Sequence, residues 1–377
     1  MPRISDLAWR NLVHDKVRLA VTLTGIVFAV VLIVVELGLF LGFTTTTSGL
    51  IDRSGADLWI TAPHVPYIET GVDFSERKAY TVLATPGVAR VSKFIARFTQ
   101  WKRPDGRQES IFIVGFEPGR GLGGPWNIVA GEERDLATAD NVFVDELYKD
   151  KLGVSRIGDV VEIRGHRARV AGFTRGIRSF TTAPYVFTSF KNAQDYAGVP
   201  QDQTVFLLVK ASDGRDVGAL IARLQTTLTH VDILTTSQFS GMTRFYWMFT
   251  TGAGVAVLLA ALLGLVVGVV VVAQTIYATT MDHLKEYGTL KAMGATNRYL
   301  YRVIVEQALM AALAGYAFGM LVSLFVVRGS EQGGAAILLP GWMAFGMFWL
   351  TLAMCVSAAF VSIRKVTRLD PAMVFKG

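Results

Sequence analysis

Four long apolar segments dominate the hydrophobic pattern of this chain, and they are spread unevenly along it. One lies near the N-terminus, residues 44–245 are mostly polar, and the other three segments occupy the last third. Each has at least the roughly 20 apolar residues that a helix needs to cross a bilayer core. Because backbone groups in lipid must form hydrogen bonds within their own segment, the pattern predicts four transmembrane helices. The predicted spans are residues 19–43, 246–276, 301–327 and 340–363.

The first span is predicted to be a retained membrane anchor rather than a cleaved signal. Its apolar run is longer than the roughly 7–15 residues of a signal-peptide core. The sequence TTTTSGL that follows it offers no Ala-x-Ala cleavage site. We therefore expect this segment to remain in the protein.

Lysine and arginine residues beside the spans predict the orientation of the chain, since basic loops tend to stay in the cytoplasm. The loop of residues 328–339 has a single basic residue, Arg328, with Glu331 close by. We expect segments 1–18, 277–300 and 364–377 to be cytoplasmic and residues 44–245 to be extracytoplasmic. The basic residues that indicate this orientation are Arg3, Arg10, Lys16, Arg18, Lys285, Lys291, Arg298, Arg302, Arg364, Lys365, Arg368 and Lys376.

These flanking residues account for most of the formal charge of +7. Residues 44–245 contain 24 basic and 22 acidic residues, which leaves 13 basic against 8 acidic residues elsewhere. Nucleic acid is therefore not expected as a partner. The single cysteine, Cys355, lies in the fourth span, so the outer domain has no intrachain disulfide and must fold around its own core.

Within residues 44–245, strand and helix patterns alternate, which predicts an α/β domain. The segments ADLWITA, VARVSKFIARF, SIFIVGF, TVFLLVK and VDILTT are typical of strands, whereas residues 75–84 and DVGALIARLQTTL are typical of helices. Between these halves, residues 141–172 alternate around Arg164, Gly165 and His166, where the glycine permits a tight turn. We predict a β-rich subdomain over about 125–190 inside the α/β domain.

Motifs for catalysis and metal binding are absent from the sequence. It contains no GxxxxGK[ST] phosphate loop, HExxH, GxSxG or CxxC motif, and its five histidines are scattered. We expect no enzyme activity, no metal and no cofactor in this chain. The glycine-rich run 117–126 predicts a surface turn. Tyr246, Trp247 and Trp342 lie near predicted membrane edges and are typical of interface anchors.

Two acidic residues and a pair of glycines are notable inside the spans. Glu36 lies about two-thirds along the first span, where an ionisable group needs a partner, a cavity or protonation. A structural hydrogen bond and a part in a substrate path are both open. Glu306 lies at the opening of the third span. Gly264 and Gly268 have the Gly-xxx-Gly spacing that lets helices approach closely, within one chain or between copies.

The predicted cytoplasmic loop contains a short amphipathic helix. Four apolar residues recur at steps of three, charged residues occupy the other faces, and a glycine predicts the helix end. Such a helix lies on lipid headgroups or binds a groove of a soluble partner, and periodicity leaves both open. The candidate residues are Leu284, Lys285, Glu286, Tyr287, Leu290, Lys291, Met293 and Gly294.

Several stretches of the chain resemble the MacB/FtsX-type permeases of ABC transporters. KEYGTLKAMGA, followed about a dozen residues later by Glu306, resembles the signature of that family. AWRNLVHDKVRLAVTLTGIVFAV resembles its entry sequence, and RKVTRLDPAMVFKG resembles its closing Asp-Pro motif. TPGVARVS and FVDELYKDKLGVSRIGDVVEIRG match the family pattern in order, so the resemblance covers nearly the whole chain. ADLWI, WKRPDG and GFEP are most similar to DevC-like export permeases.

The resemblance implies a non-catalytic permease subunit of the inner membrane, with four transmembrane helices and a MacB-like periplasmic core domain. A separate ABC ATPase subunit would bind ATP, and two copies of this chain would present two docking helices to it. Motion would pass mechanically to the outer domains. The implied result is export of a lipid, peptide or other amphiphile, with a periplasmic adaptor and an outer-membrane channel. An FtsX-like signalling role without transport is the alternative.

Overall fold

The structure, a computed structural model, describes residues 16–212, 216–330 and 336–367, without the side chains of residues 18, 284, 285 and 363–367. The chain divides into two compact units. The helical unit comprises Met1–Leu41, Ala256–Ser330 and Ile337–Gly377, and the outer unit comprises Gly42–Val255 and Glu331–Ala336. Several residues of the sequence analysis lie outside the described residues, namely Arg3, Arg10, Glu331, Arg368, Lys376 and the Asp-Pro motif.

Helix α1 (Lys16–Asp52) continues past residue 43, where the first span was predicted to end. The run of threonines after the apolar segment explains the difference. Thr46 and Thr47 donate hydrogen bonds of 2.7 and 2.6 Å to backbone carbonyls four residues earlier. These local bonds let polar residues continue a helix that the hydropathy pattern alone would end. Leu50 and Ile51 then belong to the hydrophobic core of the outer unit.

The described part of the outer unit contains a mixed sheet and a small two-stranded sheet. The strands are β1 (Leu58–Thr61), β2 (Phe74–Ser75), β3 (Val88–Lys102), β4 (Gln108–Phe116), β5 (Ile128–Ala130), β6 (Asn141–Asp145), β7 (Val160–Ile163), β8 (His166–Thr174), β9 (Tyr185–Ser189), β10 (Gln203–Thr204), β11 (Phe206–Ala211) and β12 (Asp232–Thr235). The large sheet has the order β12-β1-β11-β3-β4-β9-β6-β8-β5, with β7 paired to β3 and β8. Strands β4 and β9 are parallel, as are β6 and β8, and the other pairs are antiparallel.

Strand β3 joins the two parts of the large sheet because its halves pair with different neighbours. Residues 88–94 pair with β11, whereas residues 95–102 pair with β4. The β-rich subdomain therefore contains β4 and half of β3 in addition to β5–β9, so it is wider than the predicted 125–190. Periodicity identifies a strand but not its partners, and the sequence could not show that one strand serves both parts.

Short helices pack on this sheet and complete the α/β domain. They are α2 (Lys78–Leu83), α3 (Lys149–Leu152), α4 (Phe190–Ala197), α5 (Val217–Thr227) and α6 (Thr236–Phe245). Helices α2, α4, α5 and α6 contact strands of the large sheet. The core is aromatic, with the buried Trp59 ring 5.4 Å from Phe94, 5.5 Å from Phe206 and 5.3 Å from Phe239. Burial of such rings is a large hydrophobic contribution to a domain that lacks disulfides.

The second membrane helix, α7 (Ala253–Asp282), begins later than the predicted residue 246. Before it, Tyr246–Thr250 form a π-helical turn, and Gly252 adopts a φ of 75°. Tyr246 and Trp247 are engaged within the outer unit, where they contact the side chains of Tyr67 and Glu69. The prediction of membrane-interface anchors at 246 and 247 took no account of these contacts, because their partners lie far away in sequence.

Three further helices complete the described helical unit: α8 (Leu284–Ala292), α9 (Asn297–Ser330) and α10 (Gly341–Thr367). Helices α1, α7, α9 and α10 are each long and apolar enough to cross a membrane. The predicted fold class, four transmembrane helices with an α/β domain after the first of them, is confirmed. Ile26, Ala29 and Ile33 of α1 are fully buried in the core of this unit.

Candidate functional site

Helix α8 is the segment that the sequence predicts to meet a cytoplasmic partner. His283 separates it from α7, with φ of −90° and ψ of 10°. At the other end, the Gly294 N–H donates to the Lys291 carbonyl at 3.1 Å, and the Ala295 N–H donates to the Leu290 carbonyl at 3.0 Å. Gly294 has a φ of 92°, which glycine adopts without strain. The helix therefore ends in a Schellman-type cap, where the glycine indicated it would.

Two residues of the apolar stripe of α8, Tyr287 and Leu290, face their own helical unit, whereas Met293 is exposed. Tyr287 is only 1% exposed, and its hydroxyl donates a 2.9 Å hydrogen bond to Gln307 Oε1 of α9. Burial raises the pKa of this hydroxyl, which keeps it a donor. Leu290 packs against the core of the same unit. Tyr287 and Leu290 thus anchor α8 to the chain itself, and the predicted coupling of this helix to an ATPase stays a prediction.

The outward face of α8 is largely polar. Glu286, Thr289 and Met293 lie three and four positions apart and are all exposed, Met293 to 72%. Residues at this spacing share one side of a helix. Glu286 Oε2 lies 3.1 Å from Nδ1 of the buried His283, at the start of the helix. A soluble partner would meet a carboxylate, a hydroxyl and a thioether on this face.

A small cavity of about 30 Å³ lies in the helical unit beside Gln307, the partner of Tyr287. Residues of α1, α7 and α9 line it together with His283. The Thr22 and Thr279 hydroxyls, on α1 and α7, are 2.9 Å apart at this cavity. Because packed interiors resist displacement, incomplete filling next to α8 leaves room for a small shift of this helix.

The glycine pair of α7 packs against α1. A Cβ atom at Gly264 would lie 2.9 Å from Glu36 Cγ, and one at Gly268 would lie 2.8 Å from Ile33 Cδ1. Both distances are closer than real Cβ contacts, so the glycines allow this close approach, and a larger residue would require the side chains of Glu36 and Ile33 to move. Of the two arrangements left open by the spacing, the structure contains the one within the chain. Glu36 is half-buried at this contact, and its part in a substrate path stays a prediction.

A second glycine pair, on α9, was missed by the sequence analysis. A Cβ atom at Gly315 would lie 2.7 Å from Ile26 Cβ, and one at Gly319 would lie 2.8 Å from Val30 Cβ. The signal was available, because these glycines have the same spacing as the pair on α7. Helix α1 is therefore in close contact with both α7 and α9.

Glu306 lies on α9 in a groove that it shares with Tyr301, Arg302, Val305 and Phe360. Its Oε2 atom is buried and has no hydrogen-bond partner. Its role, like that of Glu36, stays a prediction. Among the described residues, no group of three or more His, Cys, Asp or Glu side chains is arranged to hold a metal ion.

Two family models match the chain. A MacB-like periplasmic core domain matches residues 19–227, which is more than half of the chain. An FtsX-like permease C-terminal domain matches residues 258–371. The first match contains α1 and nearly all strands of the outer unit, and the second contains α8, α9 and α10.

Curated relatives extend over the same length. A protein of Mycobacterium tuberculosis (strain ATCC 25618 / H37Rv) is 24% identical over 396 residues, which cover 99% of this chain and 98% of the relative. A protein of Mycobacterium bovis (strain ATCC BAA-935 / AF2122/97) is 22% identical over 378 residues, with the same shares. Both bear the name uncharacterized ABC transporter permease.

Several solved structures resemble about half of this chain. The periplasmic region of MacB from Actinobacillus actinomycetemcomitans is 12% identical, with a TM-score of 0.39, and the match covers 50% of this chain and 93% of that one. The extracellular domain of the noncanonic ABC-type transporter YknZ from Gram-positive bacteria is 11% identical, with a TM-score of 0.36 and shares of 48% and 99%.

Proposed function

The chain belongs to the MacB/FtsX-type permeases of ABC transporters, and from this premise we propose that it carries ATP-driven motion of a partner ATPase across the membrane by mechanical coupling. Membership makes it a multi-pass membrane protein and implies an ATPase subunit as a partner. Two copies related by a two-fold axis would present two α8 helices to an ATPase pair.

The observation that supports this proposal best is the way α8 is mounted. Its inner face is held by the buried Tyr287 and by Leu290, while Glu286, Thr289 and Met293 face outward. A helix that only lies on lipid headgroups would direct its apolar face toward the lipid. Here Tyr287 and Leu290 are packed against the chain itself, and we propose that the exposed Met293 contacts the soluble ATPase.

The mechanical path proposed here starts at α8. A push on its outer face would reach α9 through the Tyr287–Gln307 hydrogen bond, and the cavity beside Gln307 would accommodate the shift. Helix α9 packs closely against α1 at Gly315 and Gly319. Helix α1 is continuous to Asp52, and its residues from Gly42 onward belong to the outer unit. A shift of α1 would therefore be carried along one helix to residues of that unit.

By family likeness, the motion serves export of a lipid, peptide or other amphiphile. We propose that the termini and α8 are cytoplasmic, that the outer unit lies in the periplasm, and that an adaptor and an outer-membrane channel complete the system. The basic residues beside the spans support this orientation.

The docking step is tested with Met293→Asp. This residue is 72% exposed, so the substitution changes the outer face of α8 without disturbing the core. After extraction in mild detergent, we expect the amount of copurified ATPase to fall about tenfold or more, as for a central interface residue. Copurified chains are identified by mass spectrometry and by ATP hydrolysis.

Met242→Asp is the matched control, because Met242 is an exposed methionine of the outer unit. It should leave copurification unchanged. Equal copurification with both variants would contradict docking at α8. Transport is tested separately in proteoliposomes containing the permease and its ATPase: release of a lipid or peptide that depends on ATP supports export, and its absence with intact ATPase binding would favour the signalling role.

A further inference from the structure

An aromatic cluster in the outer unit holds the stretch of chain that leads into α7. The Tyr67 and Tyr246 rings are stacked, with centroids 3.8 Å apart and an interplanar angle of 20°. Phe180 lies edge-on against Trp247 at 4.5 Å, and Phe43 lies edge-on against Phe180 at 5.7 Å. The turn Tyr246–Thr250 thus packs against side chains from two distant parts of the outer unit, and Phe43 supports one of them.

Glu69 lies within this cluster, on the 3-10 turn Ile68–Thr70. It is half-buried, and one of its oxygens, Oε2, accepts a 3.4 Å hydrogen bond from Trp247 Nε1. Close packing at Gly71 constrains this turn, since a Cβ atom at Gly71 would lie 2.7 Å from the Phe206 ring. A carboxyl group therefore connects this rigid turn to the residues that precede α7.

The titratable groups that face Glu69 are tyrosines. They are Tyr67 on its own segment, Tyr246 on the turn before α7 and Tyr185 on β9, with Tyr148 beyond Tyr185. The guanidinium of Arg97 reaches the same segment, but it is held by Asp73 at 2.6 Å and by the Gly71 carbonyl at 3.0 Å. No ion pair joins Glu69 to a cation among the residues that the structure describes.

Burial without a cation changes the acidity of this carboxyl group. Desolvation raises the pKa of Glu69 from 4.5 to about 7, against the lowering effect of its own backbone N–H and of the Trp247 hydrogen bond. The pKa of Tyr67 is raised to about 12, mainly by the hydrogen bond between Tyr67 and Tyr246. Burial raises the pKa of Tyr185 as well. Glu69 is thus the group of this cluster that titrates near neutral pH.

We propose that Glu69 is a proton-operated latch, which holds the turn Ile68–Thr70 on the turn Tyr246–Thr250 when neutral and releases it when ionised. The physical reason is that a carboxylate without a cation is more stable in water than among aromatic rings. A neutral carboxyl group loses little by burial and still accepts the hydrogen bond of Trp247.

The direction of the pH effect follows from the two pKa values. The latched form, with a pKa of about 7, binds the proton more tightly than an open, hydrated form with a pKa of 4.5. The latch is therefore closed at low pH and opens as the pH rises toward 7. Between these values the population of the open form grows about tenfold per pH unit, by about 300-fold at most.

Release would free the connection between α6 and α7. The turn Tyr246–Thr250 is followed by Gly252, whose φ of 75° needs no compensating contact, and by the first residue of α7. If the chain couples motion to its outer unit as proposed, the pH around that unit would change the stiffness of this connection. The latch itself does not depend on the proposed function.

The latch is tested on the full-length protein in nanodiscs labelled with 5-fluorotryptophan. The ¹⁹F signal of Trp247 is the one that disappears in Trp247→Phe. We expect this signal to shift with a midpoint between pH 4.5 and 7 in the wild type, and to be independent of pH in Glu69→Gln, where the amide stays neutral. As a control, Glu109→Gln removes a carboxyl group of β4 and should leave the titration of the Trp247 signal as in the wild type.

Hydrogen exchange compared at one pH gives an independent measurement. At pH 8, peptides that contain residues 67–70 and 246–250 should exchange at least tenfold faster in the wild type than in Glu69→Gln, whereas at about pH 4, where Glu69 is protonated in both the latched and the open form, the two proteins should match. The proposal is overturned if the Trp247 signal shows no titration between pH 4.5 and 8, or if its titration survives in Glu69→Gln. Neither measurement needs the ATPase or a transport substrate, so failure of the latch is distinct from failure of the proposed function.

Discussion

Tyr287 positions a whole surface helix through one buried hydroxyl group. Its ring is enclosed by the helical unit, and its hydroxyl reaches Gln307 on α9 at 2.9 Å. A phenylalanine would fill the same space but would leave the Gln307 oxygen without this donor. Removing this hydrogen bond therefore tests the transmission of motion from α8 to α9 without changing the exposed side of α8 that is proposed to bind the ATPase.

We predict that Tyr287→Phe keeps the ATPase bound but weakens its response to the permease. The loss of one buried hydrogen bond should lower the free energy of unfolding by about 1 kcal/mol. Stimulation of ATP hydrolysis by the permease, measured in nanodiscs, should fall severalfold because α8 can shift without moving α9.

The matched control is Tyr316→Phe, which removes a 2.9 Å hydrogen bond to the Ala344 carbonyl between α9 and α10. It should cost similar stability and leave stimulation intact. If both variants impair stimulation equally, the Tyr287–Gln307 bond has no special part in coupling.

Helix α1 depends on glycines of its two neighbours. The pair on α7 faces Glu36 and Ile33, whereas the pair on α9 faces the β-branched Ile26 and Val30 close to their Cβ atoms. A flexible side-chain end can move away from an added methyl group, but a branched Cβ cannot, because it is fixed to the backbone. The α9 contact should therefore be the less tolerant of the two.

We predict that Gly315→Ala destabilises the helical unit. The new Cβ atom would overlap the side chain of Ile26, and overpacking of this kind costs about 1–3 kcal/mol. Unfolding in mixed micelles of increasing SDS content measures the loss. Gly346→Ala on α10 serves as the control, since no atom lies within 4 Å of its added Cβ, and it should be neutral or stabilising. Equal stability of both variants would contradict close packing of α1 on α9.

The single cysteine makes the topology of the whole chain easy to examine. Cys355 is fully buried in α10, so the wild-type protein should react poorly with thiol reagents. Labelling of new cysteines at exposed positions can then be measured without replacing Cys355. Gln108 on β4 and Ala292 on α8 are both exposed and belong to different units.

We predict that a membrane-impermeant maleimide labels Gln108→Cys in spheroplasts and Ala292→Cys only in inside-out vesicles. The basic residues beside the spans are the physical reason, because they favour the cytoplasmic side. Labelling of Ala292→Cys from outside, or of Gln108→Cys from the cytoplasmic side, would reverse the proposed orientation and remove α8 from the reach of an ATPase.

The hydropathy pattern along the chain was sufficient to predict the number of membrane spans, the α/β character of the outer unit and the location of α8. These properties depend on neighbouring residues, since a membrane helix needs a continuous apolar run and a helix end needs a local glycine such as Gly294. The same reasoning predicted the glycine contact of α7, although it left the partner of that contact open.

Contacts between residues far apart in sequence decided the rest. Strand β3 pairs with both β11 and β4, which extends the β-rich subdomain beyond the predicted range. Tyr246, predicted to begin the second span, instead stacks on Tyr67 before α7 begins. Tyr287 of α8 is buried and donates a hydrogen bond to Gln307 on another helix, which periodicity within α8 could not show. An amphipathic pattern shows that a helix has two faces, but only the packed chain shows which of them is already occupied.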